Sequence, residues 1–269
     1  MIGQERNKEQ IRMWKVQDNL PRTLIISGGR GCGKRMLASY IAEQFGLNIR
    51  WIGNKVNDVR DMIADCRSLS SPTMFIFVGA DDMSLSAKNS LLKVTEEPPT
   101  DAYFVIPLED VSSTLPTIKS RSIEIQMEPY TQQQLMSFTD NLMCLEIATN
   151  PGEIKELIDI GVDNLVGIVD KVIENIDQVG SGNALNISKN IKFKDDDEGC
   201  GLDVFWRVFN NRVIHMLRDN AKEFTMDEVR MFTDWMKITQ RSLNMLNNPS
   251  LNKKMIFDMW VLDIRNEVK

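Results

Sequence analysis

The 269-residue sequence predicts an α/β domain with a parallel sheet, followed by an all-helical remainder. Three observations carry the prediction. An apolar strand, a glycine-rich loop and a helix follow one another over residues 23–45. The run Met74-Phe75-Ile76-Phe77-Val78 is apolar throughout, as expected of a central parallel strand covered on both faces. After Pro129 no further strand is convincing, and helical spacing takes over.

The first strand, Thr23–Ser27, leads into Gly28-Gly29-Arg30-Gly31-Cys32-Gly33-Lys34, and Met36–Phe45 then has helical spacing. The loop reads G-x-x-x-x-G-K, the Walker A pattern, in which backbone amides at a helix start and the lysine cradle phosphates. The next residue should be Ser or Thr, whose hydroxyl holds Mg²⁺. Here it is Arg35, which has no lone pair for a metal and a fixed positive charge that repels one. The candidate phosphate-binding residues are therefore Gly28, Gly31, Cys32, Gly33, Lys34 and Arg35, and no metal-ligating set is predicted. Two states stay open. The loop holds ATP, ADP or phosphate without Mg²⁺, with Arg35 standing in for the cation, or it is an empty relic.

The remaining elements follow in order. Ile49–Ile52 is predicted as strand, and Val56–Leu69 as helix with Val59, Met62, Ile63 and Cys66 on one face. Leu85–Glu97 is a helix stopped by Pro98-Pro99. Tyr103–Ile106 and Ile123–Ile125 are the last strands. Helices are then predicted over Thr131–Leu145, Gly152–Asp159 and Ile168–Ile176, with Asn150-Pro151-Gly152 as a turn. Gly180-Ser181-Gly182 reads as a linker, and long amphipathic helices follow over 202–220, 226–246 and 250–267. Thr225 with Glu228 fits a capping box. The insert Lys194-Asp195-Asp196-Asp197-Glu198-Gly199 lacks calcium-loop spacing and reads as a solvated loop.

Composition excludes several classes. No apolar run reaches the roughly 18 residues of a membrane helix, and Met1–Arg6 lacks the apolar core of a signal peptide, so a soluble cytoplasmic protein is expected. Cys32, Cys66, Cys144 and Cys200 form no C-x-x-C pair, which argues against zinc and against a disulfide framework. His215 is the single histidine and lies in a helical apolar pattern, leaving no basis for histidine catalysis. The net charge of −6 argues against a dedicated nucleic-acid-binding domain.

Ser90-Leu91-Leu92-Lys93-Val94-Thr95-Glu96-Glu97-Pro98-Pro99 resembles the LLK-x-x-EEPP segment of clamp-loader AAA+ subunits, and Leu115-Pro116-Thr117-Ile118-Lys119-Ser120-Arg121-Ser122 resembles their LP-x-T-I-x-SRC segment. Ile2-Gly3-Gln4 and Leu20-Pro21 match their opening, and Asn247-Asn248-Pro249-Ser250-Leu251 resembles the approach to the last helix of the bacterial delta-prime branch, the branch it is most like. The resemblance is dense over residues 1–128, weaker over 129–178 and architectural beyond. It implies a RecA-like AAA+ domain over 1–128, a helical lid over 129–178 and a helical collar over 179–269.

The resemblance also assigns roles. It places the acidic Walker B pair at Val78-Gly79, where neither residue can hold Mg²⁺ or orient water; a rival register uses Asp81-Asp82. It puts Pro107-Leu108 where a polar sensor belongs, and the turn Pro151–Lys155 offers no lid arginine for a γ-phosphate. Arg121 corresponds to an arginine finger given in trans to a neighbour's ATP, with Ser122 replacing the family's cysteine. Arg60 and Lys88 lie on helices that in the family face primed DNA. The implied role is a non-hydrolysing, stator-type subunit of a sliding-clamp loader in a DNA polymerase III type holoenzyme. Its partners are ATPase subunits of the same fold, a clamp-opening subunit, the sliding clamp and primer-template DNA. Two alternatives stand beside it: an active ATPase motor subunit using Asp81-Asp82, and a free-standing AAA+ helicase-loading or regulatory factor.

Overall fold

Short apolar runs alternating with amphipathic helices close into one parallel sheet in the computed structural model, which describes residues 1–174, 191–192, 200–220, 222–246, 248 and 250–266. The chain divides into two compact units, Met1–Phe138 with Thr149–Glu153, and Thr139–Ala148 with Ile154–Lys269.

The first unit runs α1 (Glu5–Val16), β1 (Thr23–Ser27), α2 (Lys34–Phe45), β2 (Asn48–Ile52), α3 (Val56–Asp65), β3 (Thr73–Phe77), α4 (Leu85–Glu96), β4 (Ala102–Leu108), α5 (Pro116–Lys119), β5 (Ile123–Gln126) and α6 (Gln132–Leu135). The strand order is β2-β3-β4-β1-β5, all parallel. Leu24 of β1 stands opposite Val105 on one side and Ile123 on the other. Because side chains alternate across a strand, the apolar runs of β1, β3 and β4 feed two cores. Ile25, Phe75, Phe77, Phe104 and Ile106 pack with Val59 and Met62 of α3 and Leu91 of α4. Leu24, Ile26, Met74, Ile76 and Val105 pack with Leu37 and Ile41 of α2 and Ile11 of α1. The α/β P-loop domain expected from the sequence is present, with helices on both faces of the sheet.

Pro107 sits inside β4, a central strand, although proline cannot donate to a ladder. It is tolerated because β3 pairs with β4 only as far as Val105, so Pro107 has a partner, Ile26, on the β1 side alone.

The second unit contains α7 (Leu142–Ile147), most of α8 (Pro151–Ile160), α9 (Val162–Glu174), α10 (Leu202–Asp219), α11 (Met226–Leu246) and α12 (Lys253–Asn266), with α10 contacting α9 and α11, and α11 contacting α12. Its core is aromatic: Phe205, Trp206, Phe209, Trp235, Phe257 and Trp260 are each at most 1% exposed. The Thr225–Glu228 capping box forms, Glu228 N–H donating to Thr225 Oγ1 at 3.3 Å, while Thr225 N–H and O–H each donate to the Glu228 carboxylate at 2.8 Å and hold it below its usual range. His215 lies 3.0 Å from Glu146 and packs within this unit.

Several expectations are corrected. The single helix over Thr131–Leu145 is two, α6 and α7, because Asn141 Oδ1 accepts from Cys144 N–H at 3.2 Å and starts a new helix. Helix α3 ends at Asp65 and continues as a 3₁₀ turn over Cys66–Ser68. The last helix starts at Lys253, after Asn252 accepts from Lys254 and Met255 N–H, not at 250. Past Pro129, two-residue strands Ile191–Lys192 and Cys200–Gly201 pair in parallel where no strand was expected. The Gly180–Gly182 linker, the break at 178–179, the Lys194–Gly199 insert, and Asn247 and Pro249 lie outside the described residues. Cys32, Cys66 and Cys144 are free and buried, and burial, reinforced by Asp65, pushes the Cys66 thiol up to about 11.

Candidate functional site

The loop after β1 is built by glycines in left-handed backbone conformations, Gly31 (φ 81°) and Gly33 (φ 94°), which non-glycine residues rarely adopt. Gly33 caps α2 without any side-chain bond, and the first turn of α2 carries no acidic residue, so the orphan amides of the helix start face the loop. Lys34 folds inward: its ammonium donates to Gly28 O at 2.5 Å and Gly29 O at 2.9 Å. Cys32 is buried, and burial raises its thiol's pKa against the opposing charge of Lys34. Tyr130 O–H donates to Cys32 O at 3.1 Å, and burial raises the Tyr130 pKa as well.

The segment Thr149–Glu153, whose last three residues open α8, packs directly on this loop. Gly152 N–H donates to Gly31 O at 3.1 Å, and Asn150 Oδ1 accepts from Glu153 N–H at 3.1 Å. The approach is backbone on backbone. A Cβ on Gly152 would lie 2.3 Å from Gly31 Cα, and one on Gly31 would lie 2.6 Å from Asn150 Oδ1. The turn expected over Asn150-Pro151-Gly152 is corrected: Pro151 and Gly152 already belong to α8, and the closing of this helix start on the loop depends on tertiary placement. Backbone atoms cannot swing aside, so Gly152→Ala is expected to cost about 1–3 kcal/mol, lowering the thermal midpoint by several degrees in calorimetry. An unchanged midpoint would show that this packing is absent in solution.

Beside Lys34 and Arg35 lies a cavity of about 250 Å³, lined also by Gly79, Asp81, Asp82 and Glu109. Of the two registers for the acidic pair, Val78-Gly79 turns the chain out of β3, Gly79 being left-handed at φ 67°. Asp81-Asp82 occupies the 3₁₀ turn Ala80–Asp82 and reaches the cavity. Asp81, however, is engaged. Its carboxylate accepts from Glu109 N–H at 2.9 Å, from Asp110 N–H at 3.3 Å and from Ser113 O–H at 3.2 Å, fastening the loop after β4. Pro107, at the sensor position, lines the same cavity without a polar group to offer. A guanidinium thus stands where a hydroxyl is needed, and the Asp81 carboxylate beside it is engaged by two amides and a hydroxyl, while Asp82 and Glu109 also line the cavity. Among the described residues no group of three or more His, Cys, Asp or Glu is arranged to hold a metal ion.

Arg121 follows α5, 36% exposed. Its Nη1 donates to Thr117 O at 2.8 Å, and its Nη2 lies 2.8 Å from Glu96 Oε1 at the end of α4. The glutamate partner was not foreseen. Of the two basic residues singled out on helices, Arg60 is exposed on α3, whereas Lys88 is half-buried and donates to Ser113 O at 2.5 Å. No helix among the described residues is long and apolar enough to cross a membrane.

Comparison with known proteins agrees with the sheet, the loop and the helical remainder. Residues 48–131 match the family model described as DNA polymerase III, delta subunit. DNA polymerase III subunit gamma of Buchnera aphidicola subsp. Baizongia pistaciae is 27% identical over 134 residues, covering 48% of this chain and 36% of the relative. The same subunit of Buchnera aphidicola subsp. Schizaphis graminum is 21% identical over 174 residues, covering 53% of this chain and 48% of the relative. The chain thus spans between about a third and a half of those relatives. A DNA polymerase III gamma subunit-related protein of Thermotoga maritima superposes with a TM-score of 0.50 at 16% identity, over 97% of this chain and 100% of the other. By fold the chain is a five-stranded parallel α/β domain with a glycine-rich loop after its first strand and a C-terminal helical region. By sequence it is similar to the delta-type and gamma-type clamp-loader subunits of DNA polymerase III.

Proposed function

We propose that the chain is a non-hydrolysing, delta-prime-like subunit of a sliding-clamp loader, which lends Arg121 in trans to ATP held by a neighbouring subunit. The observation carrying this reading is the contrast between two sites. At the phosphate loop, Arg35 replaces the metal hydroxyl, Asp81 is saturated by amides, and Lys34 is turned onto loop carbonyls. At Arg121, a guanidinium stands at the surface on a segment matching the family's finger motif. Phosphoryl transfer needs charge stabilisation at the γ-phosphate and a positioned water. The first site lacks the loop hydroxyl for the metal and has Asp81 engaged elsewhere, while the second offers a group suited to another subunit's nucleotide.

In this reading residues 1–128 form the AAA+ domain, 129–178 the lid and 179–269 the collar through which the subunit joins its ATPase sisters. The clamp-opening subunit, the sliding clamp and primer-template DNA complete the cytoplasmic assembly, with Arg60 as the accessible DNA-facing cation. The loop residues Gly28, Gly31, Cys32, Gly33, Lys34 and Arg35 serve as a structural relic or hold an anion without metal. One observation favours the rival motor reading: Asp81, Asp82 and Glu109 share a cavity with Lys34. Purified chain with Mg-ATP separates the two. No phosphate release above background is expected, and turnover abolished by Lys34→Ala would overturn the proposal in favour of a motor.

A further inference from the structure

Arg121 is not left to search for its target. Two anchors hold its guanidinium, one on each terminal nitrogen: Thr117 O, one helical turn back, and the Glu96 carboxylate at the end of α4. Thr117 is local and comes with α5 itself. Glu96 belongs to a different element, and its location is set by the way α4 ends. Glu97 leaves helical geometry (φ −125°, ψ 71°), Pro98-Pro99 forbids continuation, and buried Thr95 bonds back to Leu91 O and Leu92 O at 3.0 Å each, bracing the last turn. A carboxylate at a helix C-terminus faces the negative end of the helix dipole, where a cation belongs. Glu96 therefore does nothing for α4, and its favourable contact is with Arg121.

From this we infer that Glu96 is the positioning residue for Arg121: it fixes the plane and reach of the guanidinium before a neighbour's triphosphate arrives. The inference rests on the proposed finger role of Arg121. A guanidinium carries five N–H donors in a rigid fork. Each anchor uses one, which leaves Nε–H and a second hydrogen on each Nη for a phosphate oxygen. An exposed arginine otherwise samples many rotamers, and ordering it at the transition state slows the reaction. Glu96 is 50% exposed and Arg121 36%, so the pair is weak and solvent-screened. It is enough to bias the side chain to one orientation while the three remaining N–H donors stay free for a phosphate oxygen.

The test has two arms. In the isolated chain, Glu96→Ala is expected to speed modification of Arg121 by phenylglyoxal severalfold, read by peptide mass spectrometry, with an unchanged or slightly raised thermal midpoint. In the assembly reconstituted with its ATPase subunits, Glu96→Ala is expected to lower kcat at the adjoining site about three- to fivefold at unchanged KM. Glu96→Gln, which keeps an acceptor oxygen, should recover most of that loss. Unchanged labelling of Arg121 overturns the pairing and leaves the finger reading standing. Faster labelling with unchanged or increased kcat overturns the positioning role. Unchanged turnover in Arg121→Ala itself sinks the finger reading, and this inference with it.

Discussion

Arg121→Ala in the reconstituted assembly is expected to slow ATP turnover at one neighbouring site by roughly 10³-fold, within the range known for arginine fingers supplied in trans. That corresponds to about 4 kcal/mol of barrier. The loss should fall on kcat, because a finger meets charge that develops only as the γ-phosphoryl group leaves. Assembly and chain stability should be nearly untouched. Arg121 has one surface ion pair and one local carbonyl bond, and an exposed pair of this kind contributes at most about 1 kcal/mol. Arg121→Lys keeps the charge but loses the planar fork, so it should recover little of the rate. The measurement is steady-state phosphate release from the assembly, alongside a gel-filtration check that the variant is incorporated. Turnover equal to wild type with the variant in place would remove the finger role.

The same arginine shows where sequence reasoning reaches and where it stops. Arg121 is legible because α5 and the residue after it lie in one contiguous motif, whose spacing is fixed by Pro116 at the helix start and by backbone bonds from Arg121 and Ser122 to Ile118 O and Lys119 O. Glu96 lies 25 residues earlier in the sequence, and nothing local says that the end of α4 meets the end of α5. The inner strands β1 and β3 are readable because a sheet covered on both faces demands apolar residues at every position, and both are buried along their whole length, unlike the largely exposed edge strands β2 and β5. Helix α1 gave no such sign. It buries only Asn7 and Ile11, and Gln4 caps it in a left-handed conformation, its side-chain oxygen accepting from Asn7 Nδ2 at 2.8 Å and not from a backbone N–H of the helix. Its docking rests on polar ties across the chain: Gln4 Nε2 to Glu128 O at 2.8 Å and Asn7 Nδ2 to Gln126 O at 3.0 Å. The site divided likewise. That Arg35 stands where the loop pattern expects Ser or Thr is legible from identity alone. The saturation of Asp81 by amides 28 and 29 residues downstream, and the closure of Gly152 on Gly31, needed the tertiary fold.

For the helical unit the largest expected effect comes from Trp260→Ala, with a loss of about 3–5 kcal/mol. Trp260 is 0% exposed and sits where α10 and α11 meet α12. Its ring lies 5.8 Å from Phe205 and 5.1 Å from Phe209, both edge-on, and 5.7 Å from Phe257 in a stacked arrangement. Such aromatic contacts add to the area buried, and truncation forfeits both. The indole also donates to Thr239 Oγ1 at 2.9 Å, and that hydroxyl, itself 0% exposed, donates to Trp235 O at 2.8 Å. Alanine therefore opens a cavity and removes the donor from a buried oxygen. The two costs separate experimentally. Trp260→Phe keeps most of the ring volume and loses the N–H, so it should cost only about 1–3 kcal/mol, the range for one buried group left unsatisfied. Urea unfolding followed by far-ultraviolet circular dichroism reads both variants. A midpoint unmoved by Trp260→Ala would mean that the aromatic cluster does not hold α12 to its neighbours. Since α12 closes the proposed collar, the same variant should also weaken incorporation into the assembly while leaving the Arg121 segment folded.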